Sequence, residues 1–178
     1  MTYVAFLRGI NVGGNTIVKM VDLNKILESL GFNNVKTVLA SGNAIFDASR
    51  TSTTKMRSQI ETALEKKYGR KILVILRNLS ELEKLDASKP FKGVPVSPQT
   101  RLYVTFLSEK PKSISITSAH PGYKILRTTP TEMISVLELS PKVQTPDLMK
   151  AIGNALGPKT TMRNWNTVQK IISAAIAE

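Results

Sequence analysis

The sequence predicts an α+β protein: a ferredoxin-like βαββαβ first part, then a second, reduced α+β part. Three observations lead there. Up to residue 89, short apolar runs alternate with segments whose apolar residues recur every three or four positions, in the order strand, helix, strand, strand, helix, strand. PFKGVPVSP, from Pro90 to Pro98, then breaks the pattern with three prolines and a glycine, as a stiff linker or boundary does. Beyond it the same kinds of element return in a shorter set. The expected division is therefore 1–89, a linker at 90–100, and 101–178.

Residues 3–7 are apolar and read as the first strand. Met20, Leu23, Leu27 and Leu30 share one helix face and stop at Gly31, a suitable residue just past a helix end. Residues 35–39 and 43–47 form a hairpin around Ser41, Gly42 and Asn43. A second helix from Thr53 presents Met56, Ile60, Leu64 and Tyr68 and ends at Gly69. The run ILVIL at 72–76 fits a well-buried strand, and Ser80 with Glu83 reads as a capping box for a short helix to Asp86.

In the second part Leu102, Val104 and Phe106 alternate as a strand expects, whereas 112–118 is readable as either a short helix or a loop. Tyr123–Arg127 and Glu132–Leu139 are strands around a turn at Thr128, Thr129 and Pro130. Thr145, Pro146 and Asp147 open a helix that continues through Leu148, Ile152 and Leu156. A strand near 159–163 and a last helix with Trp165, Val168 and Ile172 complete the set. Helix 53–68, strand 72–76 and helix 80–86 map onto 146–156, 159–163 and 165–177, a repeat of architecture with no shared motif.

Composition removes several chemistries. With no cysteine there are no disulfides, thiolate nucleophiles or zinc fingers. The single histidine, His120, sits in the turn sequence SAHPG, so a catalytic triad or a histidine metal site has nothing else to draw on. No D-x-D or E-x-x-H spacing suggests a carboxylate metal site, and no metal or cofactor is expected. No apolar run nears the roughly 20 residues of a membrane span. Tyr3 already lies in a strand, with no leader expected before it, and the expectation is a cytoplasmic protein without a membrane partner. The net charge of +12 is shared evenly: 14 basic against 8 acidic residues in 1–89, then 11 against 5 in 90–178. Such a balance favours polyanionic partners. The densest basic cluster, Lys66, Lys67, Arg70 and Lys71, also suits a helix C-terminus, where cations complement the dipole.

Two stretches carry possible binding chemistry. RGINVGG runs from Arg8 to Gly14 directly after the first strand. In a ferredoxin-like sheet the loop after strand one leaves from the same edge as the hairpin between strands two and three. Arg8, Asn11, Gly13 and Gly14 are therefore expected beside Ser41 and Asn43. Glycines at positive φ turn successive N–H groups outward as an anion-binding nest, and Arg8 adds a fork of donors. The same glycines also serve as plain turn residues, and their spacing matches neither a dinucleotide fingerprint nor a Walker loop. The second stretch, TTMRNWNT at 160–167, offers Asn164 or Asn166 as a helix cap and Trp165 as a core residue. Alternatively, Arg163, Asn164 and Asn166 gather polar groups at a helix N-terminus.

Together RGINVGG, the Ser41-Gly42-Asn43 turn followed by Phe46, and RNWNT at 163–167 resemble the bacterial domain of unknown function 1697, from Tyr3 to about Ile172. Its motif positions here are Arg8, Gly9, Asn11, Gly13, Gly14, Ser41, Gly42, Asn43 and Arg163 to Thr167. The resemblance implies an α+β fold with a ferredoxin-like first part and implies no activity. Where similar members carry a Gly/Ser-Lys-rich segment, this chain has SPKVQTP from Ser140 to Pro146. Three functions are carried forward. One is binding of an anionic partner such as nucleic acid. Another is a binding site or an enzyme site for a phosphorylated or carboxylated small molecule at the Arg8/Asn11/Asn43 rim. The third is an interaction protein whose motifs are structural.

Overall fold

In the computed structural model, which describes residues 1–13, 16–111 and 119–177, the chain divides into two units. Unit 1 comprises Met1–Lys84 with Lys170–Glu178, and unit 2 comprises Leu85–Gln169. This differs from the expected division. The proline-rich stretch belongs to unit 2, and the last residues group with unit 1, where Lys36 Nζ donates to the Ala177 carbonyl (2.9 Å).

Unit 1 is built on β1 (Thr2–Leu7), β2 (Asn33–Thr37), β3 (Asn43–Asp47) and β4 (Val74–Asn78), hydrogen-bonded in the order β2-β3-β1-β4. β1 runs antiparallel to both β3 and β4, so it lies inside the sheet and runs parallel to β2, as a ferredoxin-like order requires. Its composition fits that position: an inner strand needs apolar residues on both faces, and every residue from Tyr3 to Leu7 is buried. Edge strand β2 has exposed and half-buried positions and a register shift.

The helices α1 (Met20–Ser29) and α2 (Thr53–Tyr68) bury Leu23, Leu27, Met56, Ile60 and Leu64 against Tyr3, Ala5, Leu7 and Phe46. Phe46 stacks on Phe32 with ring centroids 4.4 Å apart. Ser52 caps α2, its hydroxyl accepting from the Lys55 N–H, and Gly69 ends the helix in the left-handed region. The strand expected at 72–76 begins two residues later. α3 (Leu79–Ala87) follows at once, so its cap is Asn78 rather than Ser80: Asn78 Oδ1 accepts from the Glu81 N–H (3.0 Å), and Glu81 returns a carboxylate to the Asn78 N–H (2.8 Å). The capping box needs its acid three residues after the cap, which Glu81 supplies for Asn78.

Unit 2 repeats the plan. β5 (Thr100–Leu107), β6 (Ala119–His120), β7 (Tyr123–Thr128), β8 (Glu132–Glu138) and β9 (Thr160–Asn164) pair in the order β6-β7-β8-β5-β9. Without two-residue β6 this is the order of unit 1, with β5, β7, β8 and β9 taking the places of β1, β2, β3 and β4. α4 (Thr145–Leu156) occupies the place of α2 and buries Leu148 and Ile152 with Tyr103, Met133 and Leu137. Gln144 and Asp147 form its capping box. α5 (Trp165–Ile176) follows β9 without a gap, and Trp165 packs on Phe91 at 5.4 Å. The ambiguous 112–118 lies outside the described residues.

Two outcomes test these assignments. Asn78→Ala lowers stability by about 1 kcal/mol, whereas Ser80→Ala changes it by less than about 0.5 kcal/mol, in urea denaturation. Asp47 accepts hydrogen bonds from Asn34 (2.8 Å) and Thr2 (2.7 Å), and chiefly these hold its carboxyl below the ordinary 3.8. The charged form is therefore favoured in the fold. Its stabilisation is present above pH 3.8 and disappears as pH falls through the lower folded value. Asp47→Asn removes that part of the acid dependence, as denaturation midpoints between neutral and acidic pH will show.

Candidate functional site

β1 ends at Leu7, and three connections meet there. Phe6 pairs with Asn43 at the start of β3, and Leu7 pairs with Val74 at the start of β4. The Leu7 N–H reaches the Gly42 carbonyl (2.8 Å), and the Arg8 N–H reaches the Leu73 carbonyl (2.9 Å). The β1–α1 loop, the β2–β3 turn and the α2–β4 connection therefore share one end of the sheet, and the first two do so as the topology predicts.

Asn11 is the clasp of this end. Its Nδ2 donates to the Ala40 carbonyl (2.7 Å) and to the Val18 carbonyl (3.0 Å), while its Oδ1 accepts from the Val18 N–H (2.8 Å). One amide thus ties the loop to its own exit and to the neighbouring turn. Asn43 works similarly from inside: it is buried, and its Nδ2 donates to the Val38 carbonyl (2.8 Å) and to Ser41 Oγ (3.0 Å). Gly42 closes the contact. Its φ is +80°, and a Cβ there would stand 2.6 Å from Ile10 Cδ1 and 3.0 Å from Leu7 Cβ.

The amides of Asn11 and Asn43 are engaged in holding the rim. Arg8 differs: half-buried at the end of β1, it has no hydrogen-bond partner for its guanidinium among the described residues. Beside it the backbone alternates. Gly9, Asn11 and Gly13 have φ of +65°, +56° and +54°, and Ile10 and Val12 between them are not in the positive region. Alternating φ is the backbone pattern of an anion-binding nest, although the Asn11 N–H within it is already donated to the Thr16 carbonyl (3.1 Å), which leaves the Gly9 and Gly13 ends of the run for a ligand. Gly14 lies outside the described residues.

Arg163, Asn164 and Asn166 belong to unit 2. Arg163 on β9 is buried and donates to Thr161 Oγ1 (2.7 Å) and the Met162 carbonyl (3.0 Å); burial pushes its guanidinium down to about 10. Asn164 is the cap of α5, its Oδ1 accepting from the Asn166 N–H (2.9 Å). Of the two candidate caps, Asn164 is the one positioned directly before the helix; Asn166 lies in its first turn with an exposed side chain. His120 stacks on Tyr123 at 4.3 Å and accepts the Gly122 N–H in a hairpin turn.

Sequence reasoning singled out one basic group without placing it at the rim. Lys66, Lys67, Arg70 and Lys71 do stand at and just past the end of α2, and because α2 leads into β4 at Val74, beside Leu7, the cluster is at the same end as Arg8. The topological rule that gathered the two turns gathers this connection as well.

The family model described as Protein of unknown function (DUF1697) matches residues 1–127. No curated protein matches the chain. Among solved structures, that of conserved bacterial protein SP0830 from Streptococcus pneumoniae is similar, with 21% identity, a TM-score of 0.69 and 98% of each chain covered. At that identity the likeness shows the fold alone.

Asn11→Ala leaves the buried-side N–H and carbonyl of Val18 without their partner and is expected to cost about 1–3 kcal/mol. Gly42→Ala is expected to cost more than the same change at Gly69, where a Cβ meets open space. Thermal denaturation of the three variants checks the order.

Proposed function

The chain belongs to the family of proteins of unknown function DUF1697, and on that premise we propose that unit 1 binds a phosphate- or carboxylate-bearing small molecule at the rim formed by Arg8, Gly9 and Gly13. The observation that carries the reading is the alternation of φ from Gly9 to Gly13 beside an arginine whose guanidinium has no hydrogen-bond partner among the described residues. Backbone N–H groups aimed to one side attract negative charge, and a guanidinium forks onto two oxygens at once. Asn11, Ser41 and Asn43 serve this arrangement by fixing the loop rather than by touching the ligand. The same proposal places the protein in the cytoplasm, where phosphorylated metabolites are abundant.

Nucleic acid is the second reading, supported by the net charge of +12. It would have to use loops or helices, because an RNA-binding sheet displays aromatic residues to solvent. Here Val4, Phe6, Ile45 and Ile75 on one face and Tyr3, Ala5, Leu7 and Phe46 on the other are all buried.

With inorganic pyrophosphate at about 100 times its Kd, stability rises by about 2.7 kcal/mol, read as a Tm increase. Arg8→Ala weakens that binding by roughly 10- to 100-fold, the equivalent of about 1.5–3 kcal/mol for a hydrogen bond to a charged group. Unchanged melting with phosphate, pyrophosphate and citrate, or equal binding by Arg8→Ala, removes the rim reading. Binding of short RNA that is absent at low salt, or indifferent to salt, removes the second.

A further inference from the structure

We propose that the rim end of unit 1 docks on an anionic lipid bilayer, its aliphatic loop tips entering the headgroup region and its cations facing the acidic headgroups. Eight large hydrophobic side chains are exposed among the described residues, and four of them stand at this one end: Val12 (62%), Ile17 (75%), Val21 (64%) and Leu39 (48%). Three of them, Val12, Ile17 and Leu39, sit next to residues joined by the clasp already described, and Val21 lies in the first turn of α1. Asn11 is bonded to the carbonyl of Ala40, which follows Leu39, to Val18, which follows Ile17, and is itself followed by Val12. The Asn11 N–H also reaches the Thr16 carbonyl (3.1 Å), closing the loop between Val12 and Ile17.

The alternation of burial within the loop is informative. Ile10 and Val18 turn inward at 2% exposure, whereas Val12 and Ile17 turn outward. Core formation explains the first pair and leaves the second unexplained. Leu39 is more telling, because it holds φ of +61°, a region that bulky residues enter only with strain and that a turn ordinarily gives to glycine or asparagine. A strained and exposed leucine serves no packing purpose.

Charge selects the occupant. Lys19 flanks the tips, and Lys66, Lys67, Arg70 and Lys71 lie on the connection that enters β4 beside Leu7. The carboxylates at the same end are Asp22 and Glu65; Glu61 accepts from the Val74 N–H. Asp22 acts locally on Tyr68, whose hydroxyl is pushed up first by burial and then by that charge. Cations therefore outnumber acids around the tips. A second copy of a chain carrying +12 would bring like charges together, which disfavours self-association through this end. Protein interfaces are enriched in aromatic residues, methionine and arginine and depleted in lysine. This patch is instead aliphatic and ringed mainly by lysine, the combination that suits acidic headgroups over an apolar interior.

This inference rests on the apolar tips and not on the Arg8 nest, so the two readings fail separately. Full-length protein is floated with phosphatidylcholine vesicles and with vesicles containing about 30 mol% phosphatidylglycerol. Binding to the anionic vesicles only is expected, together with at least a tenfold loss in the Ile17→Ser/Leu39→Ser double variant at unchanged Tm. Lys66→Gln/Lys67→Gln is expected to reduce partitioning by about fivefold per cation removed. The pyrophosphate-induced Tm increase, if present, stays intact in the double serine variant. No binding to anionic vesicles at low salt overturns the proposal. So does equal binding by the double serine variant, which assigns vesicle binding to net charge alone. A wild-type dimer in light scattering that the double variant abolishes also overturns it, by giving the patch to a second copy.

Discussion

Asn11 carries the organisation of the rim end. A loop of some twelve residues between β1 and α1 has backbone groups that neither the sheet nor the helix satisfies, and an exposed loop without internal bonds would sample many shapes. A single primary amide, with two donor hydrogens and an acceptor oxygen, links three backbone segments at 2.7–3.0 Å. Asn11 itself sits at φ +56°, a conformation asparagine tolerates better than other side chains, which places its amide between the loop's exit and the β2–β3 turn. The Arg8 guanidinium, the backbone of alternating φ and the outward aliphatic tips all depend on that anchoring for their relative positions.

The anchoring works because the sheet beneath it is rigid. β1 is bonded on both sides and buried on both faces, so the position of Leu7 is set by two strands and a helical layer. Gly42 then meets Leu7 and Ile10 with no room for a side chain, and buried Asn43 ties its own turn from within. Placing a functional loop on a stiff sheet end is a general way of holding a binding geometry in solution, since ordering is done by folding rather than by the ligand. In unit 2 the equivalent strand order is present, but its polar residues are used differently. Arg163 is bonded along its own strand, and Asn164 caps α5. The repeat thus conserves architecture between the units and not the chemistry of the strand ends.

Much of the architecture was legible in local sequence. Helix α2 could be read from Met56, Ile60 and Leu64 and from Gly69, because helical period and a left-handed stop are local properties. The β3 boundaries were legible because Asn43 follows a glycine turn. Boundaries slipped where tertiary bonds set them: β4 starts at Val74 because that residue pairs with Leu7, and the α3 cap moved to Asn78 because strand and helix abut without a loop. The division into units differed for a related reason. Composition reports a proline-rich stretch, whereas unit membership follows from contacts between residues far apart in sequence, such as Lys36 with Ala177.

What the sequence determined by itself is the succession of elements, the apolar faces that bury them and the absence of thiol and multi-histidine chemistry, since each follows from residue type and short-range spacing. What only the tertiary structure decided is how polar and apolar residues of the loops are used. Asn11 and Arg8 are three positions apart and look equally available as donors, yet one is spent on carbonyls 7 and 29 residues away and the other, half-buried, has no hydrogen-bond partner for its guanidinium among the described residues. Val12 and Ile17 look like Ile10 and Val18, yet they point the opposite way. Hydrogen-bond satisfaction and side-chain direction in a loop are properties of the closed three-dimensional arrangement, and no periodicity along the chain encodes them.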